Sequence, residues 1–267
     1  MSNTDLLLDT SGPIATVTFN RPDKANALGI DWLSRMIEFF RQIERDNGVR
    51  CVLIRGNGKH FQAGADVSQL KETLKETRLH KRLSWFRETI GQGNELVRAI
   101  MHLSKPVVAS VQGGVVGGGL SIAGAADLVI AADDAFFCQG QIINGYSLDG
   151  MPSYLLPRQI GYRKAMEWAL LGTKVSAQDA ERLGFVNFVV PRNDLESETK
   201  SLMNKLAKGP TKAYGTNKML MLRTWQNGPD EQGGLEIDLY MDIAASEDWA
   251  EGTHAFLERR EPVYKGG

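Results

Sequence analysis

The residues best suited to chemistry lie in one stretch, Lys105-Pro-Val-Val-Ala-Ser-Val-Gln-Gly-Gly-Val-Val-Gly-Gly-Gly-Leu-Ser-Ile-Ala-Gly-Ala-Ala-Asp127. Val107 to Val111 is a short, mostly apolar β-rich run, the pattern of a strand buried on both faces. Five glycines follow within Gly113 to Gly119, and Leu120 to Ala126 is small and apolar, as in a tightly packed helix. The reading is strand, glycine loop, buried helix. Glycine has no Cβ, so backbone can approach a ligand closely. A helix that begins in the loop aims unpaired N–H groups and the positive end of its dipole at whatever sits there. That stabilises an anion, or an oxygen that becomes one during a reaction. A turn of this kind also suits phosphate or plain close packing. It is not G-x-x-x-x-G-K-[ST], because no Lys follows, and no G-x-G-x-x-G is in register. Elsewhere His60, His80, His102 and His254 have no partner pattern and no metal-ligand spacing, so no metal is expected. Ser110 and Ser121 lie in no G-x-S-x-G elbow.

The elements that must hold this stretch are readable on both sides of it. Asp5 to Asp9 and Ile14 to Phe19 read as strands around a turn at Ser11-Gly12-Pro13. Ile30 to Asp46 is a helix, with Leu33, Ile37, Phe40 and Ile43 at helical spacing. Val49 to Arg55 is a second buried strand, followed by a turn and then Phe61-Gln-Ala-Gly-Ala-Asp66. Val67 to Ile100 reads as mostly helical and strongly polar between Lys71 and Arg87, the composition of either a solvated helix or a mobile segment. Leu128 to Ala132, Ala135 to Cys138 and Val186 to Val190 read as strands. Ser176 is an N-cap candidate, with Asp179 at the reciprocal position. Leu195 to Lys208, Thr211 to Thr224, Gly234 to Ser246 and Asp248 to Arg260 read as helices. Alternating strands and helices imply an α/β core with parallel strands, placed at residues 1–195, with a helical region at 196–267.

Bulk composition narrows the function classes. A chain of 267 residues can bury a sizeable core. Lys plus Arg number 31 and Asp plus Glu 32, so no global field draws the protein to nucleic acid or an anionic membrane. Cys51 and Cys138 lie in apolar or aromatic runs and read as buried free thiols. No apolar stretch approaches a membrane span and no secretory leader is visible, so a cytoplasmic setting is expected.

Four segments in order resemble the crotonase (enoyl-CoA hydratase/isomerase) superfamily. Asn20-Arg-Pro-Asp-Lys-Ala-Asn-Ala-Leu28 resembles its first CoA-binding loop, and Phe61-Gln-Ala-Gly-Ala-Asp66 its F-x-A-G-A-D loop. Lys105-Pro-Val-Val-Ala with Gly117-Gly-Gly resembles its strand and oxyanion turn. Ala255-Phe-Leu-Glu-Arg-Arg260 resembles its terminal helix. The resemblance implies a spiral of β-β-α turns with a helical C-terminal trimerisation region, acting as a homotrimer or homohexamer on an acyl-CoA, without a further cofactor. It implies an oxyanion hole built from the N–H groups of Ala65 and Gly118. It assigns CoA and substrate contacts to Lys24, Ala25, Ala63, Ala65, Asp66, Val67, Gly117, Ser121 and Gln141. From the terminal helix it adds Phe256 and Arg259.

The pattern departs from a hydratase at two positions. Where that enzyme carries one catalytic glutamate, two residues after the glycine triplet, this chain has Ser121. Where it carries the second, this chain has Gln139-Gly-Gln141. A hydroxyl and an amide do not provide the same proton transfer. One carboxylate remains nearby, Asp149, in Gly145-Tyr-Ser-Leu-Asp-Gly-Met-Pro-Ser-Tyr-Leu-Leu-Pro-Arg158. By itself, Leu-Asp-Gly is also good turn chemistry. By resemblance, the position is that of the acid/base aspartate of dienoyl-CoA isomerases and of the ring-epoxide CoA isomerase of phenylacetate breakdown. It also matches the nucleophilic aspartate of a chlorobenzoyl-CoA dehalogenase, but that enzyme needs a Trp where Gln141 stands. The resemblance therefore implies double-bond isomerisation with Asp149 as acid and base in a dry pocket. The alternatives are a hydratase with a rearranged water site and a CoA-binding homologue without turnover.

Overall fold

The computed structural model describes residues 4–267, apart from the side chains of Ile30 and Val67. β1 (Leu6–Asp9) pairs antiparallel with β2 (Ile14–Phe19). The chain then enters α1 (Ile30–Arg45), which buries Trp32, Leu33, Met36, Ile37, Phe39, Phe40 and Ile43. These residues form one apolar stripe at helical spacing. The buried ammonium of Lys105 donates to the carbonyls of Ile43 and Asp46, which satisfies acceptors left open at the helix end.

β3 (Cys51–Gly56) lies parallel to β2. The charged segment after it forms α2 (Val67–Lys75) and α3 (Leu79–His102) rather than one helix. The break falls at 76–78, where Glu76 is extended and its carboxylate accepts from the backbone and guanidinium of Arg78.

β4 (Val107–Val111) is buried along its whole length, as a central strand covered on both faces must be. The glycine stretch is not all loop. It contains β5 (Gly114–Val116), which leads into α4 (Gly118–Ala125). β6 (Leu128–Ala132) and β7 (Phe136–Cys138) repeat the pattern, one strand to each of two sheets. α5 (Pro152–Gln159), α6 (Tyr162–Leu171), β8 (Val175–Ser176), α7 (Ala177–Arg182) and β9 (Phe188–Val190) follow. Ser176 does cap α7, its hydroxyl accepting from the Asp179 N–H at 3.1 Å.

The larger sheet runs β1-β2-β3-β4-β6-β9 and is parallel from β2 onward. The smaller runs β5-β7-β8. An isolated parallel bridge from Gln62 to Val115 extends the smaller sheet into the preceding turn. Successive turns of chain thus stack as a spiral, each giving a strand to the large sheet and an extended segment to the small one.

After β9 come α8 (Leu195–Ala207), α9 (Thr211–Arg223), α10 (Pro229–Ala244) and α11 (Glu247–Glu258). This helical part packs onto the sheet from its first helix. Leu195 and Met203 of α8 close a second core cluster with Cys51, Leu53, Val108, Ile130 and Ala132 of the sheet. α9 is fastened to the core by Lys218, which donates to Asp127 and to the carbonyl of Ile100, each at 2.9 Å. Cys51 and Cys138 are buried free thiols, and burial pushes Cys51 up to about 12.

Candidate active site

In a parallel sheet the loops that follow the carboxyl ends of the strands gather at one edge. Here those segments are 20–28 after β2, 57–66 after β3 and, with β5 inside it, 112–117 after β4. They are knitted together by backbone. Ala63 donates to the Ala25 carbonyl at 3.1 Å, Leu28 to Gly64 at 2.8 Å, and Asp66 to Leu28 at 3.2 Å. Val116 donates to Gln62 at 2.9 Å. Lys24, Ala25, Ala63, Ala65 and Asp66 therefore do come together, with Lys24 exposed. Val67 opens α2, but its side chain lies outside the described residues.

Phe61 is the anchor for this segment. It is fully buried and packs edge-on against Phe19 at 5.5 Å. Gln62, also fully buried, clamps the next glycine. Its amide accepts from the Gly64 N–H and donates to the Gly64 carbonyl, both at 2.9 Å. The same side chain packs against the glycine turn. A Cβ added to Gly119 would lie 2.5 Å from Gln62 Oε1 and 2.6 Å from the Gln62 carbonyl. Gly117 turns the chain with φ +54, a region open mainly to glycine. A Cβ there would lie 3.7 Å from the Gly64 Cα, so the two turns touch.

The Ala65 and Gly118 N–H groups have no protein acceptor among the described residues. Gly118 is the first residue of α4, where such N–H groups are left open by helix geometry. The structure therefore presents two unpaired donors on adjoining turns, one beside Gly64 and one beside Gly117. His60 supports the second turn: its Nδ1 accepts from the Gly114 N–H at 2.9 Å. Burial, and then the charge of Lys59, hold this imidazole below its usual value, against the pull of Asp134. That favours the neutral ring that an acceptor requires.

The Asp66 side chain is turned into the protein. Its carboxylate is buried, with Oδ2 on Arg21 at 2.9 Å and Oδ1 taking the Ser68 N–H at 2.9 Å and hydroxyl at 2.6 Å. With both oxygens engaged inside the protein, the side chain holds the loop rather than offering a ligand contact. Burial works against its charge, but the hydrogen bonds from Ser68 and Arg21 together outweigh it and hold the carboxyl below its usual value.

The chemistry-bearing side chains sit over the glycine turn. Gly117 donates to the Cys138 carbonyl at 3.1 Å, tying the turn to the end of β7. From there Gln141 reaches back, and both atoms of its amide would be 3.8 Å from a Cβ on Gly117. Gln141 Nε2 donates to Asp149 Oδ1 at 2.7 Å. After Asp149 the chain turns through two positive φ values, Gly150 at +74 and Met151 at +65. The turn reading of Leu-Asp-Gly is therefore also met. A Cβ on Gly150 would come 3.0 Å from the Ser121 hydroxyl, so Ser121, itself buried, lies beneath this turn.

One expectation is corrected. Asp149 is exposed in the chain rather than enclosed in an apolar pocket, because 145–151 runs as irregular backbone across the surface. Phe256 and Arg259, expected to reach CoA, sit at the end of α11, where Phe256 lines a surface pocket with Pro210 and Tyr264. Asp248 of α11 accepts from Lys265 and Gly266, and Gly266 rests on Arg50, just before β3 begins. The site lies past the other end of that six-residue strand, about 20 Å on. Phe256 is 82% exposed.

Sequence reasoning missed Gln62, His60 and Arg21 as supports. Each acts on backbone or on a partner distant in the chain, which leaves no local spacing to read. The one available signal was Arg21 within Asn20-Arg-Pro, inside a loop already singled out.

A stacked spiral of parallel strands with two unpaired N–H groups on adjoining glycine turns is the arrangement of the crotonase superfamily. The sequence model of enoyl-CoA hydratase/isomerase matches residues 9–267. The chain is 34% identical over 253 residues to a 1,2-epoxyphenylacetyl-CoA isomerase of Escherichia coli (strain K12), covering 95% of each. It is 32% identical to a short-chain-enoyl-CoA hydratase of Clostridium acetobutylicum, covering 98% of this chain and 97% of that one. The crystal structure of an enoyl-CoA hydratase from Polaromonas sp. JS666 superposes with a TM-score of 0.90 at 29% identity, covering 97% of this chain and 99% of that one. The chain belongs to the enoyl-CoA hydratase/isomerase family and is an enzyme of the crotonase superfamily.

Proposed function

We propose that the protein isomerises a double bond in an enoyl-CoA thioester, with Asp149 moving the proton. The observation that carries this is Asp149 held by Gln141 beside the glycine turn; by the resemblance, Ser121 and Gln141 stand where a hydratase has its two glutamates. In this reading the Ala65 and Gly118 N–H groups receive the thioester oxygen as it gains enolate charge. Removal of a proton from the carbon next to, or conjugated with, the carbonyl leaves that charge on oxygen. Asp149 takes the proton and returns it at another carbon of the conjugated system. One carboxylate suffices for both steps because donor and acceptor carbons belong to the same bound acyl group. A proton transfer moves no net electrons, so the reaction calls for no cofactor beyond the CoA of the substrate.

Lys24, Ala25 and Ala63 are proposed to line the CoA path. The exposed Ile237, Tyr240 and Met241 of α10 and Trp249, Phe256 and Leu257 of α11 favour burial between copies, as a homotrimer or a dimer of trimers. Assembly is also the route by which Phe256 and Arg259 would reach CoA. Among the described residues no helix is long and apolar enough to cross a membrane. The two buried thiols suit a reducing compartment such as the cytoplasm.

Replacement of Asp149 tests the assignment. General acid–base catalysis is worth roughly 10²–10⁴-fold, so Asp149→Asn should lose about that much turnover with thioester binding little changed. Ser121→Ala, which removes a buried hydroxyl beneath the turn, should cost about tenfold or less on the same scale. Parental turnover by Asp149→Asn together with a dead Ser121→Ala would overturn the isomerase reading.

A further inference from the structure

Gln141 does not hold Asp149 alone. Its own amide oxygen accepts a hydrogen bond from Gln139 Nε2 at 2.8 Å. Gln139 is fully buried at the end of β7, next to Cys138, whose carbonyl receives the Gly117 N–H. The result is a directed chain of amides, Gln139 to Gln141 to Asp149, rooted beside the glycine turn. An amide has a donor end and an acceptor end. With Gln139 donating to Oε1 of Gln141, the NH₂ of Gln141 is the end left facing the carboxylate. Were Gln141 alone to rotate by half a turn, its oxygen would face the Asp149 oxygen and its NH₂ the NH₂ of Gln139, a repulsive arrangement at each end.

We propose that Gln139 and Gln141 are positioning residues, Gln139 fixing which end of the Gln141 amide meets Asp149, and Gln141 holding the carboxylate over the turn. The proposal rests on the isomerase reading of Asp149 and adds how that carboxylate is aimed.

A second observation bears on the return of the proton. Gln139 Oε1 is buried and has no partner among the described residues. Buried acceptors are ordinarily paired. If Asp149 carries the proton, it becomes a donor and can give a hydrogen bond to Gln141 Oε1. The Gln141 NH₂ then turns to Gln139, and a matching rotation of the Gln139 amide brings its unpaired oxygen round as the acceptor. The same two side chains can therefore support Asp149 both before and after it takes the proton, with the direction of the chain reversed and no bond made or broken in either amide.

The test uses the intact enzyme and a thioester it turns over, and compares Gln141→Leu, Gln139→Met and each of these combined with Asp149→Asn. A hydrogen bond to a charged group is worth enough to make Gln141→Leu lose about tenfold to a hundredfold in kcat. A role exerted through Asp149 should leave KM within about twofold. Gln139→Met keeps volume but removes the donor, and should lose less, about threefold to tenfold, by letting the Gln141 amide rotate. In the Asp149→Asn background neither replacement should lower the residual rate further, since the group they serve is gone. Parental kcat in Gln141→Leu, or losses that simply multiply with that of Asp149→Asn, would overturn the proposal while leaving the isomerase reading intact. Parental turnover by Asp149→Asn itself would remove the isomerase reading instead. Circular dichroism and urea midpoints like the parent's keep a folding defect from imitating the expected result, and if Gln139→Met fails to fold, Gln141→Leu carries the test.

Discussion

Asp66→Asn should weaken the protein by about 2–3 kcal/mol near neutral pH. Asp66 and Arg21 form a pair at 2.9 Å whose side chains are 8% and 7% exposed. Removal of one member of such a buried pair costs roughly 3–5 kcal/mol, because the other charge is left without water or partner. Two features reduce the figure. Asp5 lies 3.7 Å from Arg21 and remains as a second anion. Asn also keeps an oxygen for the Ser68 N–H, so the cap of α2 survives. Urea unfolding of parent and variant at the same protein concentration holds the contribution of subunit association fixed between them. With a slope of about 2–3 kcal/mol per molar, the midpoint should fall by roughly 1 M. The pH dependence has a definite sign. Asp66 in the folded protein is held below its ordinary value of 3.8, so its contribution is complete above that pH and is lost as pH falls through the lower folded value. The gap between parent and variant should be widest near neutrality and close below about pH 4. Equal midpoints at pH 7, or a gap that stays constant into acid, would refute the assignment of this pair as the fastening between the first two loops.

Gly119→Ala should be severe, since its methyl group would press on the side chain and carbonyl of Gln62. Overpacking of this kind costs about 1–3 kcal/mol, and displacement of an oxyanion donor about 10²–10³ in kcat; urea midpoints and initial rates measure the two separately. Sedimentation should give a mass near a multiple of three chains, and a stable monomer at micromolar concentration would contradict the proposed assembly.

Much of the fold was legible because apolar periodicity and strand burial are local. Ile14 to Phe19 and Leu128 to Ala132 are strands over the very residues the pattern indicated. The pattern failed where pairing is long-range. β5 looks like loop because Gly114-Val-Val is three residues among glycines, and its strand character comes from β7 and from Gln62. The break between α2 and α3 was hidden because a charged stretch of good helix formers carries no glycine or proline to mark it. The start of α10 at Pro229 was missed for a related reason: Gly228-Pro-Asp-Glu reads as a turn as readily as an N-terminus. In the site, Ala65, Gly118 and Asp149 were found through motifs. The amide chain through Gln139 was not, because the orientation of an amide is set by neighbours in space. Phe256 and Arg259 were grouped with the site by motif alone.

The central claim is that Asp149 shuttles a proton within a bound thioester, and incubation with a panel of enoyl-CoA esters in heavy water tests it most directly. Mass spectrometry follows deuterium uptake and any gain of water in the same sample. The account predicts a substrate that shifts its double bond and exchanges hydrogen at the carbons flanking it, without gaining the mass of a water, and predicts that Asp149→Asn abolishes both changes. A product that gains one water with no shift of the double bond, formed as well by Asp149→Asn as by the parent, would contradict it.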